Sequence, residues 1–314
     1  MKFLRRLLWS LLVLFVLLNL MSAFHAYKFT HFYDDPGLQR LKPEEMSMGQ
    51  KLSAICFGVK SPKSINDVLP EVPYETIQLY THDSLKLEGW LCKKDSSKGT
   101  VILFHGHGSS KSKVLQEAMY FYSIGYNTLL MDFRAHGGSD GNTCTIGYNE
   151  AEDVKLAYDY ISAREKNVFI WGISLGAATI TRAVSEYNIQ PSGVILELPF
   201  GSLLGTVKGR VRTMGLPSQP ISSLLTFWGG AEQGFWAFDH NPCNYATKIN
   251  CPVLLQCGAK DARVSMEEIN CIYAAMPSAK KKLVVYEESA HQSLCKNEPE
   301  KWKREVAQFL DSGK

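Results

Sequence analysis

The sequence lacks a strong excess of charge of either sign. Its 314 residues contain 34 lysines and arginines against 31 aspartates and glutamates, a formal charge of +3. Four of the positive charges, on Lys2, Arg5, Arg6 and Lys28, flank an apolar N-terminal segment, and taking them away leaves −1 for the remainder. Proteins that bind nucleic acid usually carry a basic patch. The sequence therefore predicts no nucleic-acid partner.

The sequence also lacks the spacings that mark metal sites. Its eight cysteines include no C-x-x-C pair, and cysteine and histidine do not cluster at zinc-finger spacing. His105 and His107 could form a metal pair with Asp132 or His136, but no H-x-H-x-D or H-E-x-x-H motif completes the set. We predict neither a metal nor a cofactor. Disulfide pairing stays open, and Cys257, inside a predicted strand, is interpreted as a lone buried thiol.

One uncharged apolar run, Leu7–Ala23, lies near the N-terminus. Its length fits a short transmembrane helix or a signal peptide. A signal peptide needs a small residue three positions before the cut, but cuts after Ala23 and Ala26 place Met21 and Phe24 there. The prediction is an uncleaved signal-anchor, with the basic N-terminus in the cytoplasm and the body on the non-cytoplasmic side. The alternative is a secreted or periplasmic protein after cleavage.

The pattern of elements divides the chain into three parts. Residues 1–28 form the predicted membrane helix, and residues 29–73, with five prolines, form a predicted linker with one short helix over Glu44–Phe57, which spaces the body from the membrane. Residues 74–314 alternate strands and helices, which indicates an α/β fold with a doubly wound, mostly parallel sheet. A hairpin over Tyr74–Tyr80 and Leu85–Leu91 opens this part. The further strands are Thr100–Phe104, Asn127–Phe133, Val168–Trp171, Gly193–Leu198, Pro252–Cys257 and Lys282–Tyr286, and the helices are Lys113–Ser123, Asn149–Ala163, Leu175–Glu186, Met266–Ala275 and Pro299–Leu310.

One interval, residues 201–250, breaks this alternation. It is rich in aromatic residues, and we interpret it as a cap inserted over the carboxyl ends of the strands. In that position aromatic side chains would line an acyl pocket. The alternative is that they pack only as core, as aromatic residues usually do. The proposed lining residues are Phe227, Trp228, Phe235 and Trp236, with Phe238 close by.

A G-x-S-x-G motif occurs twice, around Ser139 and around Ser174. In a nucleophile elbow the serine stands on a sharp turn from a strand into a helix. Ser174 meets this requirement, because it follows the strand Val168–Trp171 and precedes a helix. Ser139 lies four residues beyond its strand and is not followed by a helical pattern, so it is interpreted as a turn residue. Ser174 is the predicted nucleophile.

A serine nucleophile needs a base and an anion that orients the base. His240 and His291 are the two histidines after Ser174, and His291 is chosen because it follows a strand in a short loop. Asp261 is chosen over Asp239 because it lies in the turn directly after a strand. The predicted catalytic set is therefore Ser174, Asp261 and His291.

Acyl transfer also needs backbone N–H donors for the oxyanion. Leu175 directly follows the nucleophile and supplies the first donor. The second should come from the loop after Thr100–Phe104, where Gly106 and Gly108 permit close approach of the backbone. Within that loop His107 is the predicted donor.

With these residues in place, residues 74–310 resemble the α/β-hydrolase superfamily, particularly its ABHD-type and serine-aminopeptidase-like members. Asp132–Ser139, with the sequence DFRAHGGS, looks like the D-x-R-G-x-G-x-S loop of that group, with Ala135 in place of the usual glycine. Leu196–Leu203, with the sequence LELPFGSL, resembles the segment leading into its cap. The resemblance implies the α/β-hydrolase fold and His107 as second oxyanion donor. Serine at the elbow, where related dehalogenases carry aspartate, argues against halide displacement.

The resulting functional prediction is a serine hydrolase that cleaves an ester or thioester through an acyl-enzyme intermediate. The expected partners are a small-molecule or lipid-like acyl substrate and the membrane. Two alternatives stay open: a peptidase or amidase with the same triad, and a non-catalytic, membrane-anchored binding protein that keeps only the fold.

Overall fold

The structure, a computed structural model, describes residues 1–35, 37, 38 and 46–312. It begins with a long helix, α1 (Lys2–Thr30), followed by a two-residue strand, β1 (Phe32–Tyr33), which pairs in parallel with β2 (Ser61–Pro62). Between these strands lies α2 (Met48–Phe57), which Ser47 and Gln50 cap reciprocally at its N-terminus. The predicted helix over Glu44–Phe57 is thus present from Met48 onward, and its predicted start lies outside the described residues.

An eight-stranded sheet forms the centre of the body, in the order β10-β9-β8-β7-β5-β6-β4-β3. Strands β5 to β10 are parallel, and β3 and β4 form the predicted antiparallel hairpin at one edge. The α/β-hydrolase fold is confirmed. The strands are β3 (Glu75–Tyr80), β4 (Lys86–Cys92), β5 (Thr100–Phe104), β6 (Asn127–Met131), β7 (Val168–Ile173), β8 (Gly193–Glu197), β9 (Val253–Gly258) and β10 (Lys281–Tyr286).

Helices cover both faces of the sheet. Side chains alternate along each strand, so Val101 and Leu103 of β5 pack with one set of helices while Ile102 and Phe104 pack with the other. Helices α3 and α11 cover the first face, and α4, α5 and α9 cover the second. The helices after α2 are α3 (Leu115–Ser123), α4 (Glu150–Ser162), α5 (Leu175–Tyr187), α6 (Leu203–Thr213), α7 (Ile221–Gln233), α8 (Pro242–Tyr245), α9 (Met266–Ala275), α10 (Leu294–Asn297) and α11 (Pro299–Ser312).

The interval between β8 and β9 contains α6, α7 and α8, together with short 3₁₀ turns at Ala237–Asp239 and Ala246–Lys248. A disulfide joins Cys243 of α8 to Cys271 of α9 and so fixes the end of this interval to the body. Cys257 is a free, buried thiol, as predicted.

Helix α7 packs along the C-terminal half of α1. The buried residues of α1 are small and recur every four positions, at Ser22, Ala26 and Thr30, so the two helices approach closely. Two polar contacts join them: Trp228 Nε1 donates to Asn19 Oδ1 at 3.1 Å, and Gln233 Nε2 donates to Thr30 Oγ1 at 3.2 Å. The C-terminal end of α1 is therefore part of the folded body.

The predicted spacer over residues 29–73 also differs from the structure. Its described parts lie against the body: the Phe32 N–H donates to Asn142 O at 2.7 Å, and the Cys144 N–H donates to Thr30 O at 2.8 Å. Further along, Lys63 Nζ donates to Ser139 O at 2.6 Å. Where the structure describes this segment, its backbone is therefore bonded to the body.

Candidate active site

Ser174 stands on a sharp turn between β7 and α5, with φ 54° and ψ −109°. This left-handed conformation is strained for a residue with a side chain and is typical of functional sites. Glycines on both sides allow it: a Cβ at Gly172 would lie 2.6 Å from the carbonyl carbon of Gly176, and a Cβ at Gly176 would lie 2.5 Å from Phe104 O. The close packing of strand, turn and helix thus lifts Ser174 above the sheet.

The second motif forms a structural turn. Ser139 is buried, and its Oγ donates to Asp132 O at 2.8 Å while it accepts from the Glu88 N–H at 2.9 Å. Gly137 has φ 51°, and a Cβ there would lie 2.1 Å from Asp132 Oδ2. The hydroxyl of Ser139 is therefore used inside the loop and does not reach the pocket at Ser174.

The structure brings Ser174, His291 and Asp261 together. Ser174 Oγ lies 2.9 Å from His291 Nε2, and His291 Nδ1 lies 2.7 Å from Asp261 Oδ2. Asp261 lies in the loop after β9, and His291 lies in the loop after β10. These two loops touch directly, since a Cβ at Gly258 would lie 2.3 Å from Ser289 O. This glycine allows the approach that places the carboxylate beside the imidazole.

Two backbone donors fix the orientation of the Asp261 carboxylate. Its Oδ1 accepts from the Arg263 N–H at 2.8 Å and the Val264 N–H at 3.1 Å, which leaves Oδ2 for His291. Burial acts to raise the pKa of Asp261, but its hydrogen bond and charge interaction with His291, together with the backbone donors, outweigh burial and hold the pKa below its ordinary value. Asp261 is therefore ionised at neutral pH.

The predicted oxyanion residues border the same pocket. Leu175 is the first residue of α5, directly after Ser174, and His107 lies in the loop after β5. That loop passes close to the elbow, since a Cβ at Gly106 would lie 3.8 Å from Ser174 Cβ. The ring of His107 stacks on Phe29 with 4.5 Å between centroids. Both predicted donors therefore belong to segments that meet at Ser174.

The sequence leaves two histidines as alternatives: His105 as a metal ligand and His240 as the catalytic base. Both are hydrogen-bonded within the fold. Both ring nitrogens of His105 are used, with Nδ1 2.8 Å from Gly106 O and Nε2 accepting from the Phe133 N–H at 3.2 Å, so this ring does not offer a nitrogen to a metal. His240 is buried with Nε2 2.9 Å from Ile146 O. Among the described residues, a group that could hold a metal ion is the surface set His82, Asp83 and Glu152, which does not border the Ser174 pocket.

A small cavity that opens to solvent lies over Ser174 and His291. Apolar side chains form much of its wall, and two arginines and a threonine complete it. The apolar residues are Phe29, Ile146, Leu175, Phe200 and Val264, and the polar ones are Thr206, Arg210 and Arg263, alongside His107. Phe29 comes from the end of α1, whereas the sequence-based prediction places it at the start of the linker and not at the site.

The four predicted pocket aromatics do not line this cavity. Trp228 contacts α1, and Phe235 stacks on Tyr148 with 4.2 Å between centroids. Phe227 and Trp236 are 40% and 57% exposed. The expected acyl pocket therefore does not form from these residues. Phe227 and Trp228 lie on α7, which packs against α1, and Phe235 and Trp236 follow α7 without bordering the cavity.

Comparison with known proteins agrees with this architecture. The family model described as "Serine aminopeptidase, S33" matches residues 95–212. A solved structure of an esterase from Pyrococcus furiosus superposes with a TM-score of 0.68 at 28% identity, covering 80% of this chain and 96% of that one. The chain has the α/β-hydrolase fold and is similar in sequence to serine-aminopeptidase-like hydrolases. It is also similar to lysophosphatidylserine lipase ABHD12 of Danio rerio, with 28% identity over 180 residues, 53% of this chain but only 44% of the lipase.

The relatives also bear on activity class and membrane attachment. The relatives with a named activity include a lysophosphatidylserine lipase and an esterase, which supports hydrolysis of ester bonds. An uncharacterised membrane protein of Saccharomyces cerevisiae is 27% identical over 224 residues, covering 70% of this chain and 74% of that protein. Helix α1 is long and apolar enough to cross a membrane, by length and composition. Together these findings support membrane attachment.

Proposed function

We propose that this α/β-hydrolase is a membrane-anchored serine esterase that cleaves a lipid-like acyl ester or thioester at Ser174. The observation that carries the proposal is the unbroken chain of short contacts from Ser174 Oγ through His291 to Asp261, at the base of a largely apolar cavity. This is the arrangement by which a histidine activates a serine hydroxyl.

In the proposed reaction, His291 Nε2 takes the proton of Ser174 as Oγ attacks the carbonyl carbon. Backbone N–H groups of Leu175 and His107 stabilise the oxyanion. His291 then gives the proton to the leaving alcohol or thiol, and the acyl group stays on Ser174. Water activated by His291 releases the acid, while Asp261 holds the imidazole in the tautomer that accepts at Nε2.

The composition of the pocket favours an acyl ester over a peptide. An aminopeptidase must bind a protonated amino group, and a carboxylate in the pocket would serve that purpose. Among the described residues that border the cavity there is no Asp or Glu, and there are two arginines, Arg210 and Arg263. Phe29, Phe200 and Val264 offer apolar surface to an acyl chain. The names of the ABHD12 relatives point to lipid substrates as well.

Helix α1 is proposed to stay attached as the membrane anchor. Its C-terminal half packs on α7, and Phe29 forms part of the pocket wall, so removal of residues up to Ala23 or Ala26 would take away part of that support. The basic N-terminus would face the cytoplasm and the body the opposite side. The protein should resist carbonate extraction, and protease should reach the body only from the non-cytoplasmic side. A soluble protein whose N-terminus begins beyond residue 23 would contradict the anchor.

Labelling with a fluorophosphonate tests the proposed nucleophile. The full-length protein should be labelled and should hydrolyse p-nitrophenyl esters, and Ser174→Ala should abolish the label and nearly all turnover. Ser139→Ala is the matched control, because it removes the hydroxyl of the other motif and should keep the label. A label that persists in folded Ser174→Ala protein would refute the assignment.

A further inference from the structure

Two arginine side chains border the cavity at Ser174. Arg210 comes from α6, and Arg263 comes from the loop that follows β9 and carries Asp261. Both face the same cavity as Ser174 and His291. Neither residue is needed for the proton transfers described above.

Backbone contacts fix these arginines relative to the triad. A Cβ at Gly209 would lie 2.1 Å from Arg263 O, so α6 touches the loop at a position where only glycine fits. The Arg263 N–H in turn donates to Asp261 Oδ1 at 2.8 Å. Arg210, which follows Gly209, and Arg263, which lies two residues after Asp261, therefore belong to segments that are fixed relative to each other.

The charge of Arg210 is not neutralised within the described part of the chain. Neither Arg210 nor Arg263 has a described carboxylate within ion-pairing distance, and the guanidinium carbon of Arg210 lies 4.5 Å from the centroid of the Phe29 ring. Burial first, and the neighbouring charge of Arg263 second, lower the pKa of Arg210 to about 10, so it is still protonated at neutral pH. The second cation, Arg263, is exposed, and an anion that lies between the two guanidinium groups stabilises both charges.

We propose that Arg210 and Arg263 form an anion subsite that binds an oxyanion group of the substrate, a phosphate or a carboxylate, close to the ester that Ser174 attacks. Arginine presents several N–H donors that match such groups. Because the subsite and Ser174 share one cavity, the anion must lie within a few bonds of the scissile ester. This is the layout of a monoacyl glycerophospholipid, whose ester and phosphate are carried by the same glycerol. The proposal rests on the proposed esterase function and narrows its substrate class to anionic acyl esters.

The test compares kcat/KM for three lauroyl esters with the full-length protein in neutral detergent micelles. Monolauroylglycerol carries no anion, lysophosphatidylcholine carries a phosphate, and lysophosphatidylserine carries a phosphate and a carboxylate. We expect wild type to prefer one or both lysophospholipids over monolauroylglycerol. Arg210→Gln or Arg263→Gln should reduce that preference by about tenfold or more, the size of one lost charge-assisted hydrogen bond.

Arg212→Gln is the matched control. It removes the same charge from the same helix, but Arg212 is exposed and does not border the cavity. The preference of this variant should equal that of wild type. Arg210→Lys, which keeps the charge but not the planar donor fork, should fall between wild type and Arg210→Gln.

A second measurement needs no variant. Dodecyl phosphate should protect Ser174 of the wild-type protein from fluorophosphonate at a concentration at least tenfold lower than dodecanol does. If wild type hydrolyses monolauroylglycerol as well as it hydrolyses both lysophospholipids, or if Arg210→Gln lowers kcat/KM equally for all three esters, the anion subsite is refuted while the esterase function stands. If wild type hydrolyses none of the esters and is not labelled, the esterase function itself fails. Whether lysophosphatidylcholine shares the preference separates phosphate from carboxylate recognition, and either result supports the subsite.

Discussion

Replacement of Asp261 by Asn should inactivate the protein by forcing His291 into the wrong tautomer. The Arg263 and Val264 N–H groups both point at Oδ1 of Asp261. In the Asp261→Asn variant the amide oxygen must remain there to accept them, so the amide NH₂ faces His291 Nδ1. Because the NH₂ group is a donor, His291 Nδ1 must be the unprotonated acceptor. The neutral imidazole therefore carries its proton on Nε2. A protonated Nε2 donates to Ser174 Oγ and cannot remove its proton.

The expected loss follows from this geometry. Turning the amide over would leave two backbone N–H groups facing an NH₂, at about 1–3 kcal/mol for each unsatisfied donor, so the unproductive orientation should dominate. A wrong tautomer in a serine triad lowers kcat by roughly 10⁴, which corresponds to about 5.5 kcal/mol in the activation barrier. Asp261→Ala imposes no tautomer on His291. We therefore expect it to be about tenfold more active than Asp261→Asn, a factor equal to about 1.4 kcal/mol.

The assay is kcat for p-nitrophenyl butyrate at pH 7.5 with wild type, Asp261→Asn and Asp261→Ala, each checked for folding by its melting temperature. The order of activity should be wild type, then Ala, then Asn. An Asn variant that keeps more than a tenth of wild-type kcat, or that clearly exceeds the Ala variant, would refute the tautomer argument.

Three further predictions concern stability and specificity. Ser139→Ala should keep kcat near wild type but lower the free energy of unfolding by about 1–3 kcal/mol, because the Glu88 N–H loses its acceptor. Urea denaturation measures this change, and a stability equal to wild type would contradict the prediction. Burial lowers the pKa of His240 to about 4, below the 6.5 of an exposed histidine. As pH drops below about 6.5, the unfolded chain therefore takes up this proton before the folded chain does, and the free energy of unfolding falls. His240→Gln should therefore flatten the dependence of unfolding free energy on pH between 6 and 4.5 by up to about 1.4 kcal/mol per pH unit, and parallel curves would exclude this role. Along p-nitrophenyl esters from acetate to octanoate, kcat/KM should rise roughly tenfold for every two carbons while the apolar wall lasts, and a flat series would argue against an acyl pocket there.

The parts of the site that could be predicted from sequence depend on short-range patterns. The bounds of β5 and α9 match the predicted ranges, because β5 is a short uninterrupted buried run and α9 has apolar residues at three-to-four spacing. Ser174 could be separated from Ser139 because only one of them joins a strand to a helix. His291 could be chosen because it follows a strand of a parallel sheet, whose carboxyl ends meet at one edge.

The parts that could not be predicted depend on which helix packs on which. Helix α1 is apolar on all sides, so its composition does not reveal the face that meets α7. The aromatic content of α7 therefore predicts, wrongly, that Phe227 and Trp228 line the pocket. The small residues Ser22, Ala26 and Thr30, spaced by four, are the signal that could have marked this face. Arg210 stands in a run of basic residues that is typical of a solvated helix, and only the contact at Gly209 turns it toward the cavity.

The most direct test of Ser174 as the acyl-carrying nucleophile is rapid-quench mass spectrometry of the full-length protein mixed with p-nitrophenyl laurate. Ser174 is the single serine of the tryptic peptide 167–182, so an acyl group on that peptide can be assigned without ambiguity. We predict a burst of about one p-nitrophenol per protein molecule, with a lauroyl group on that peptide that is absent from Ser174→Ala. Steady turnover with no acyl group on peptide 167–182, or an acyl group on another peptide, would contradict Ser174 as the nucleophile.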